Sequence, residues 1–168
     1  MPAQKHQHLP VAAIEKIRAI AGNEKCMDCG SAEPDWGDVL HGSLHCIQCA
    51  GLHRGLGVSV SFCRSLTMDN WTEENLLSML LGGNRQLKAF FTRQRIANSS
   101  VDVLYRSRPA AFYREQLAKQ VHQLLAKRKQ RGRFPDRAWA VSSARTSREQ
   151  DPEHDDDTTT TATTTTTT

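Results

Sequence analysis

The chain has 168 residues, 38% of them apolar, with 22 basic against 18 acidic side chains and a formal net charge of +4. That length gives one domain with a modest core. Its longest apolar cluster, Leu76 to Leu81, is far too short to span a bilayer, and the opening "MPAQKHQHLP" lacks the basic-then-apolar order of a secretory signal. Five cysteines without such a signal, four of them in two close pairs, point to metal ligation in a reducing compartment rather than to disulfides, and the protein is expected to be cytoplasmic or nuclear.

Residues 1–9 carry no periodic pattern and are expected to be disordered. The first helix is expected over Pro10 to Ala21, with Ile14, Ile17 and Ala21 on one face, Pro10 in the first turn and Gly22 as the cap. Between two cysteine pairs, "DWGDVLHGSLHC" predicts two short strands turning near His41 and Gly42. A short helix follows over Ile47 to Leu56. "VSVSFCRSL", Val58 to Leu66, alternates and predicts a strand with Val58, Val60 and Phe62 on one side.

"DNWTEENLLSMLLGG" predicts a helix started by Asn70 with Glu73 three residues on, and stopped by Gly82 and Gly83. Another helix begins near Asn84 and runs through "RQLKAFFTRQ". Pro109 opens the last helix, where Phe112 or Tyr113, Leu117, Val121 and Leu124 share a face. The domain is expected to fill residues 10–131 and to be α+β, a small domain in which a metal-binding finger ties a short central sheet to surrounding helices. Residues 132–168, with the acidic run "EHDDD" and a threonine tract broken only by Ala162, are expected to be disordered, because a polar homopolymer buries too little to offset its ordering entropy.

Cys26, Cys29, Cys46 and Cys49 form C-x2-C-x16-C-x2-C. A two-residue gap lets both sulfurs of a pair reach one ion at about 2.3 Å, and four thiolates complete a tetrahedral zinc shell. One structural zinc is the reading; a rubredoxin-like iron is the minor alternative. Such a site contributes on the order of 10 kcal/mol to folding. The lone Cys63 is expected to be a small buried apolar residue. With the shell full, His41, His45 and His53 read as structural or solvent-facing imidazoles rather than as ligands. The basic residues from Lys127 to Arg137 fit an anionic membrane surface, a nucleic acid, or simply a solvated helix end and linker.

The segment from Cys26 to Trp71 resembles the zinc module of the ArfGAP family, the GTPase-activating proteins of Arf-type small GTPases. The resemblance rests on the sixteen-residue gap, Arg54 after C-x4, "GLHRGLGV", "RSLTMD" followed by Trp71, and "GGN" at Gly82 to Asn84, and it extends from about Pro10 to Leu125. It implies a short sheet with zinc at its edge, packed among helices, and an arginine finger at Arg54 that acts on a GTP-bound Arf-type partner. It implies contact or support roles for Trp36, Ile47 and Asp69; from the residues alone, Trp36 and Ile47 could be core and Asp69 a helix-start residue. It also implies a setting in vesicle traffic, peripheral to Golgi or related membranes. The chain departs from the family at "HGSLHC", where a small, apolar run is usual, and at Ala50 and Met68.

Two other functions compete. A nucleic-acid-binding finger would put several basic residues on the helix after the second pair, but "IQCAGLHRGLG" offers only Arg54, so no nucleic acid is expected. An adaptor of the same fold would bind without stimulating hydrolysis; retention of Arg54 weighs against it. Nothing matches G-x4-G-K-[ST], so no nucleotide-hydrolysing site of its own is expected.

Overall fold

The computed structural model describes residues 7–130. The expectations for residues 1–6 and for the acidic and threonine-rich tail lie outside them. In chain order the elements are β1 (Gln7–His8), α1 (Val11–Arg18), β2 (Trp36–Asp38), β3 (Ser43–His45), α2 (Ile47–Gly55), β4 (Cys63–Ser65), β5 (Asn70–Trp71), α3 (Glu73–Leu81), α4 (Asn84–Arg93), α5 (Val101–Arg106) and α6 (Arg108–Gln130). The expected α+β architecture is present: β3, β2 and β4 form an antiparallel sheet in that order, with helices around it.

Several boundaries differ from the sequence reading, each for a local reason. Gln7 and His8 pair with Trp71 and Asn70 in a second small sheet, so order begins before Pro10. Leu9 is buried with Trp71, Ile14 and Ile17, and that burial holds the N-terminal segment down. The same pairing takes Asn70 away from α3. Thr72 caps that helix instead, its hydroxyl accepting from the Asn75 amide at 3.2 Å. α1 ends at Arg18 rather than Ala21, and the Asn23 side chain donates to the Ile17 carbonyl beyond it.

The strand expected from Val58 is confined to Cys63–Ser65. Gly57 takes φ +89°, and its carbonyl accepts from both Val60 and Ser61, so these amides are spent in a tight turn and not in a ladder. Val58 is left 73% exposed. Helix α5 carries no strong sequence signal and was not expected. On α6, Tyr113 rather than Phe112 faces inward with Leu117 and Val121.

Two apolar clusters result. One joins α1, the β2–β3 hairpin, Leu66, Trp71 and Met79. The other joins Leu56 with α4, α5 and α6 through Leu87, Phe91, Leu104, Tyr105 and Leu117. The β2–β3 turn and the end of α3 touch backbone to backbone: a Cβ on Gly82 would lie 2.6 Å from the Gly42 carbonyl oxygen. The Gly83 amide donates to that same oxygen at 2.8 Å. Asn84, 4% exposed, then ties three segments together. Its Oδ1 accepts from the Leu44 amide, while its Nδ2 donates to the carbonyls of Lys25 and Leu44. The "GGN" stretch is thus a packing joint between α3, α4 and the first cysteine pair.

Among the described residues, no helix is long and apolar enough to cross a membrane. Of the basic cluster, Lys127, Arg128 and Lys129 end α6, and Arg128 pairs with Glu73 at 2.5 Å. Arg131, Arg133 and Arg137 lie outside the described residues.

Candidate metal centre and the arginine beside it

Each cysteine pair is set by its own turn. In the first, the Cys26 amide donates to Ser31 and the Gly30 amide to Cys26, curling the chain through Gly30 at φ +74°. In the second, Cys46 is the N-cap of α2, its Sγ accepting from the Cys49 amide at 3.4 Å. Ligand geometry and helix start are therefore one feature. The four sulfurs of Cys26, Cys29, Cys46 and Cys49 all lie within 4.8 Å of one another. Cys29 Sγ and Cys46 Sγ are 3.6 Å apart, close to the edge of about 3.8 Å of a tetrahedron with 2.3 Å metal–sulfur bonds. The residues present fit a zinc ion held by four thiolates. Hydrogen bonding by Ser31 brings the Cys29 thiol down to about 6, whereas burial among neighbouring thiols pushes Cys49 up. A bound cation stabilises the thiolate form of all four.

Behind this cluster lies a buried polar network that holds three of the chain's seven histidines. His41, His45 and His53 are fully buried. Asp28, inside the first knuckle, accepts from His45 Nδ1 at 2.8 Å and His53 Nε2 at 2.9 Å through Oδ2, and from the Tyr105 hydroxyl at 2.9 Å through Oδ1. Asp38 on β2 accepts from His41 Nδ1 at 2.6 Å and from the amides of Leu40 and Phe62. Burial opposes ionisation of both aspartates, yet their histidine partners more than offset it, and both carboxyls are held below the usual range. Burial lowers His45 and raises Tyr105. His45 Nε2 and His53 Nδ1 are taken by Ser43 and Ser61 hydroxyls at 2.9 and 2.7 Å. Hydrogen bonds thus occupy the ring nitrogens of both, which suits a structural role. The network links the first knuckle to β3, α2 and α5. Cys63 is buried beside it, 3.7 Å from Ser61 Oγ, and burial raises its thiol to about 12.

Arg54 sits in the last turn of α2 with an exposed side chain. Its guanidinium carbon stacks 4.4 Å from the centroid of Trp36 on β2. Ile47 opens the same helix and is 58% exposed, which removes the core reading for it. Ile47, Gly51 and Arg54 stand at i, i+4 and i+7 and share one helix face. A Cβ on Gly51 would meet nothing within 4 Å, so that face is open between the two side chains. Asp69 lies elsewhere in the local architecture: its Oδ2 accepts from the Ser65 amide at 2.7 Å and closes the turn between β4 and β5. It does not start α3. Sequence reasoning missed Asp28, Asp38 and Tyr105, whose roles depend on contacts between distant segments.

This combination of a four-cysteine knuckle, a short sheet and encircling helices matches the ArfGap family model, described as a GTPase activating protein for Arf, over residues 11–130. The chain belongs to the ArfGAP family. Mouse ADP-ribosylation factor GTPase-activating protein 3 is 38% identical over 108 residues, covering 64% of this chain and 21% of that protein. The GCS1 protein of Saccharomyces cerevisiae, also an ADP-ribosylation factor GTPase-activating protein, is 44% identical over 103 residues, covering 61% of this chain and 29% of its own. The chain therefore spans less than a third of the length of these relatives. A crystal structure from Cryptosporidium parvum, assigned as a GTPase-activating protein for ADP ribosylation factor, superposes with a TM-score of 0.61 at 28% identity, covering 66% of this chain and 89% of that one.

Proposed function

We propose that this chain stimulates GTP hydrolysis by an Arf-type small GTPase, with Arg54 supplying an arginine finger in trans. The observation that carries it is the exposed α2 face of Ile47, Gly51 and Arg54, on a helix whose first turn is built into the cysteine cluster. Phosphoryl transfer spreads negative charge over the oxygens of the transferred group, and a guanidinium placed there stabilises it without reacting, worth roughly 10³–10⁵ in rate. Arginine suits this because it stays protonated and presents a planar fork of donors. Cys26, Cys29, Cys46 and Cys49 would hold one zinc, which supplies a structural crosslink and no open coordination position. Ile47 offers an apolar contact to the partner beside the finger, and Trp36 orients the guanidinium. Asp69 supports the turn that follows the sheet. Hydrolysis then occurs in the partner's nucleotide site, and vesicle traffic is the setting in which the reaction serves.

The test is single-turnover GTP hydrolysis by myristoylated Arf-type GTPases on liposomes. The wild-type chain should accelerate it, and Arg54→Ala should remove most of the acceleration while zinc content and circular dichroism stay unchanged. Arg54→Lys should be nearly as damaging, because lysine keeps the charge but loses the fork. An Arg54→Ala protein as active as wild type defeats the finger. An inactive wild type that still binds the GTP-loaded partner replaces it with an adaptor.

A further inference from the structure

Helix α4 carries Arg85, Lys88 and Thr92 at spacings of three and four, and Arg95 continues the line just past its end. Two open clefts flank the first cysteine knuckle along this line. One, of about 560 Å³, has Met27, Phe91 and Leu104 as its floor and Lys88, Thr92 and Arg95 on its wall. The other, of about 520 Å³, is lined by Lys25, Arg85 and Lys88. Lys88 is common to both. All four cations are exposed, and none forms an ion pair among the described residues. Two carboxylates lie there. Asp28 is committed to His45, His53 and Tyr105, Glu24 stands in the second cleft, and the Cys26 and Cys29 thiolates that also line it are committed to the metal cluster.

Arg95 adds an independent observation. It takes φ +59° at the position after the C-cap of α4. Its amide donates to the Thr92 carbonyl, and the Ile96 amide to the Phe91 carbonyl, at 3.0 and 3.1 Å. This is the helix-ending motif in which glycine is favoured, because a side chain in the left-handed region is strained. A strained arginine on a cleft wall, where glycine would serve the backbone better, points to a use for its side chain.

We propose that the line formed by Lys25, Arg85, Lys88 and Arg95 is a docking site for the phosphate-bearing headgroups of an anionic bilayer. Guanidinium, ammonium and hydroxyl donors are the groups that read phosphate oxygens. A bilayer fits better than a single small anion because the cations run on the order of 15 Å along the helix and line two adjoining open clefts, which engage several headgroups at once. The inference does not rest on Arg54 or on stimulation of a GTPase.

The experiment is co-sedimentation of the full chain with phosphatidylcholine vesicles, with and without phosphatidylserine. Binding should require the anionic lipid and weaken with salt. Removing one charge should weaken it about fivefold, and the combined Arg85→Ala, Lys88→Ala and Arg95→Gly protein should bind about a hundredfold more weakly. Arg95→Gly alone separates ligand binding from structure: its Tm should rise while its vesicle binding falls. Unchanged vesicle binding by the combined variant overturns the proposal. So does a fall in GTPase stimulation in solution with vesicle binding intact, which would assign the line to a protein partner. Saturable binding of inositol hexakisphosphate by a chain that ignores the vesicles would overturn the bilayer as the source.

Discussion

The guanidinium of Arg54 and the indole of Trp36 stack across the gap between α2 and β2, 4.4 Å from carbon to ring centroid. An exposed arginine would otherwise sample many rotamers, and each must be given up when the side chain enters a partner's site. At a solvent-accessible site such as this one, where the Trp36 ring is half-buried and Arg54 exposed, the stack is worth about 0.5–1 kcal/mol. Trp36→Ala should therefore lower the stimulated single-turnover rate by about two- to fivefold, and Trp36→Phe by less. A faster Trp36→Ala protein would show that the stack restrains Arg54 instead of presenting it.

The cysteine cluster gives a second expectation. Cys46 has two tasks, since its sulfur belongs to the tetrahedral set and also caps α2. The purified chain should hold one zinc, and Cys46→Ser should lose it and unfold. Removing zinc with a chelator should have the same effect on wild type, because metal binding supplies on the order of 10 kcal/mol. A folded, metal-free protein by elemental analysis contradicts the assignment.

The parts of this fold that were legible in the sequence are those encoded by local spacing. Cysteine gaps, the Gly82–Gly83 stop and the periodicity of Leu117 and Val121 each depend on neighbours a few residues away. The misplaced elements depend on distant partners. Asn70 has every mark of a helix start, yet its pairing with His8 draws it into a strand. Val58 to Phe62 alternates like a strand, but the turn at Gly57 takes the Val60 and Ser61 amides and the Asp38 side chain takes that of Phe62. "HGSLHC" places two polar imidazoles, His41 and His45, in a stretch that the fold buries. The reason appears only once Asp28 and Asp38 are brought against them from other segments.

The joint at Asn84 tests how much the buried polar contacts contribute. Asn84→Ala leaves the Leu44 amide without its 2.7 Å acceptor and removes the donor to two carbonyls. A loss of about 2–4 kcal/mol is expected from unpaired buried groups together with the space left behind. Asn84→Asp keeps the acceptor but cannot donate and buries a charge, so it should rescue little. Denaturant unfolding measures both. A cost below about 1 kcal/mol for alanine would show that water replaces the side chain.

Asp38 gives the last expectation, and its sign follows from its surroundings. The carboxylate is fully buried and bound by His41 and by the amides of Leu40 and Phe62. Burial alone would raise its pKa above the ordinary 3.8, but the charge and hydrogen bond of His41 hold it below that value. The folded state therefore binds a proton at this site less readily than the unfolded chain does. Stability from Asp38 is fully present above about pH 4 and is lost as the pH falls further toward its folded pKa. Asp38→Asn keeps one acceptor oxygen and removes the charge, so it should cost roughly 1.5–3 kcal/mol near neutral pH. Below pH 4 the gap between wild type and variant should narrow, because the wild-type carboxyl is then becoming neutral as well. Urea unfolding of both proteins across this range, with zinc content followed in parallel, checks the prediction. A gap that stays constant down to the acid limit would mean that the carboxylate charge does not contribute, and that shape alone accounts for the cost.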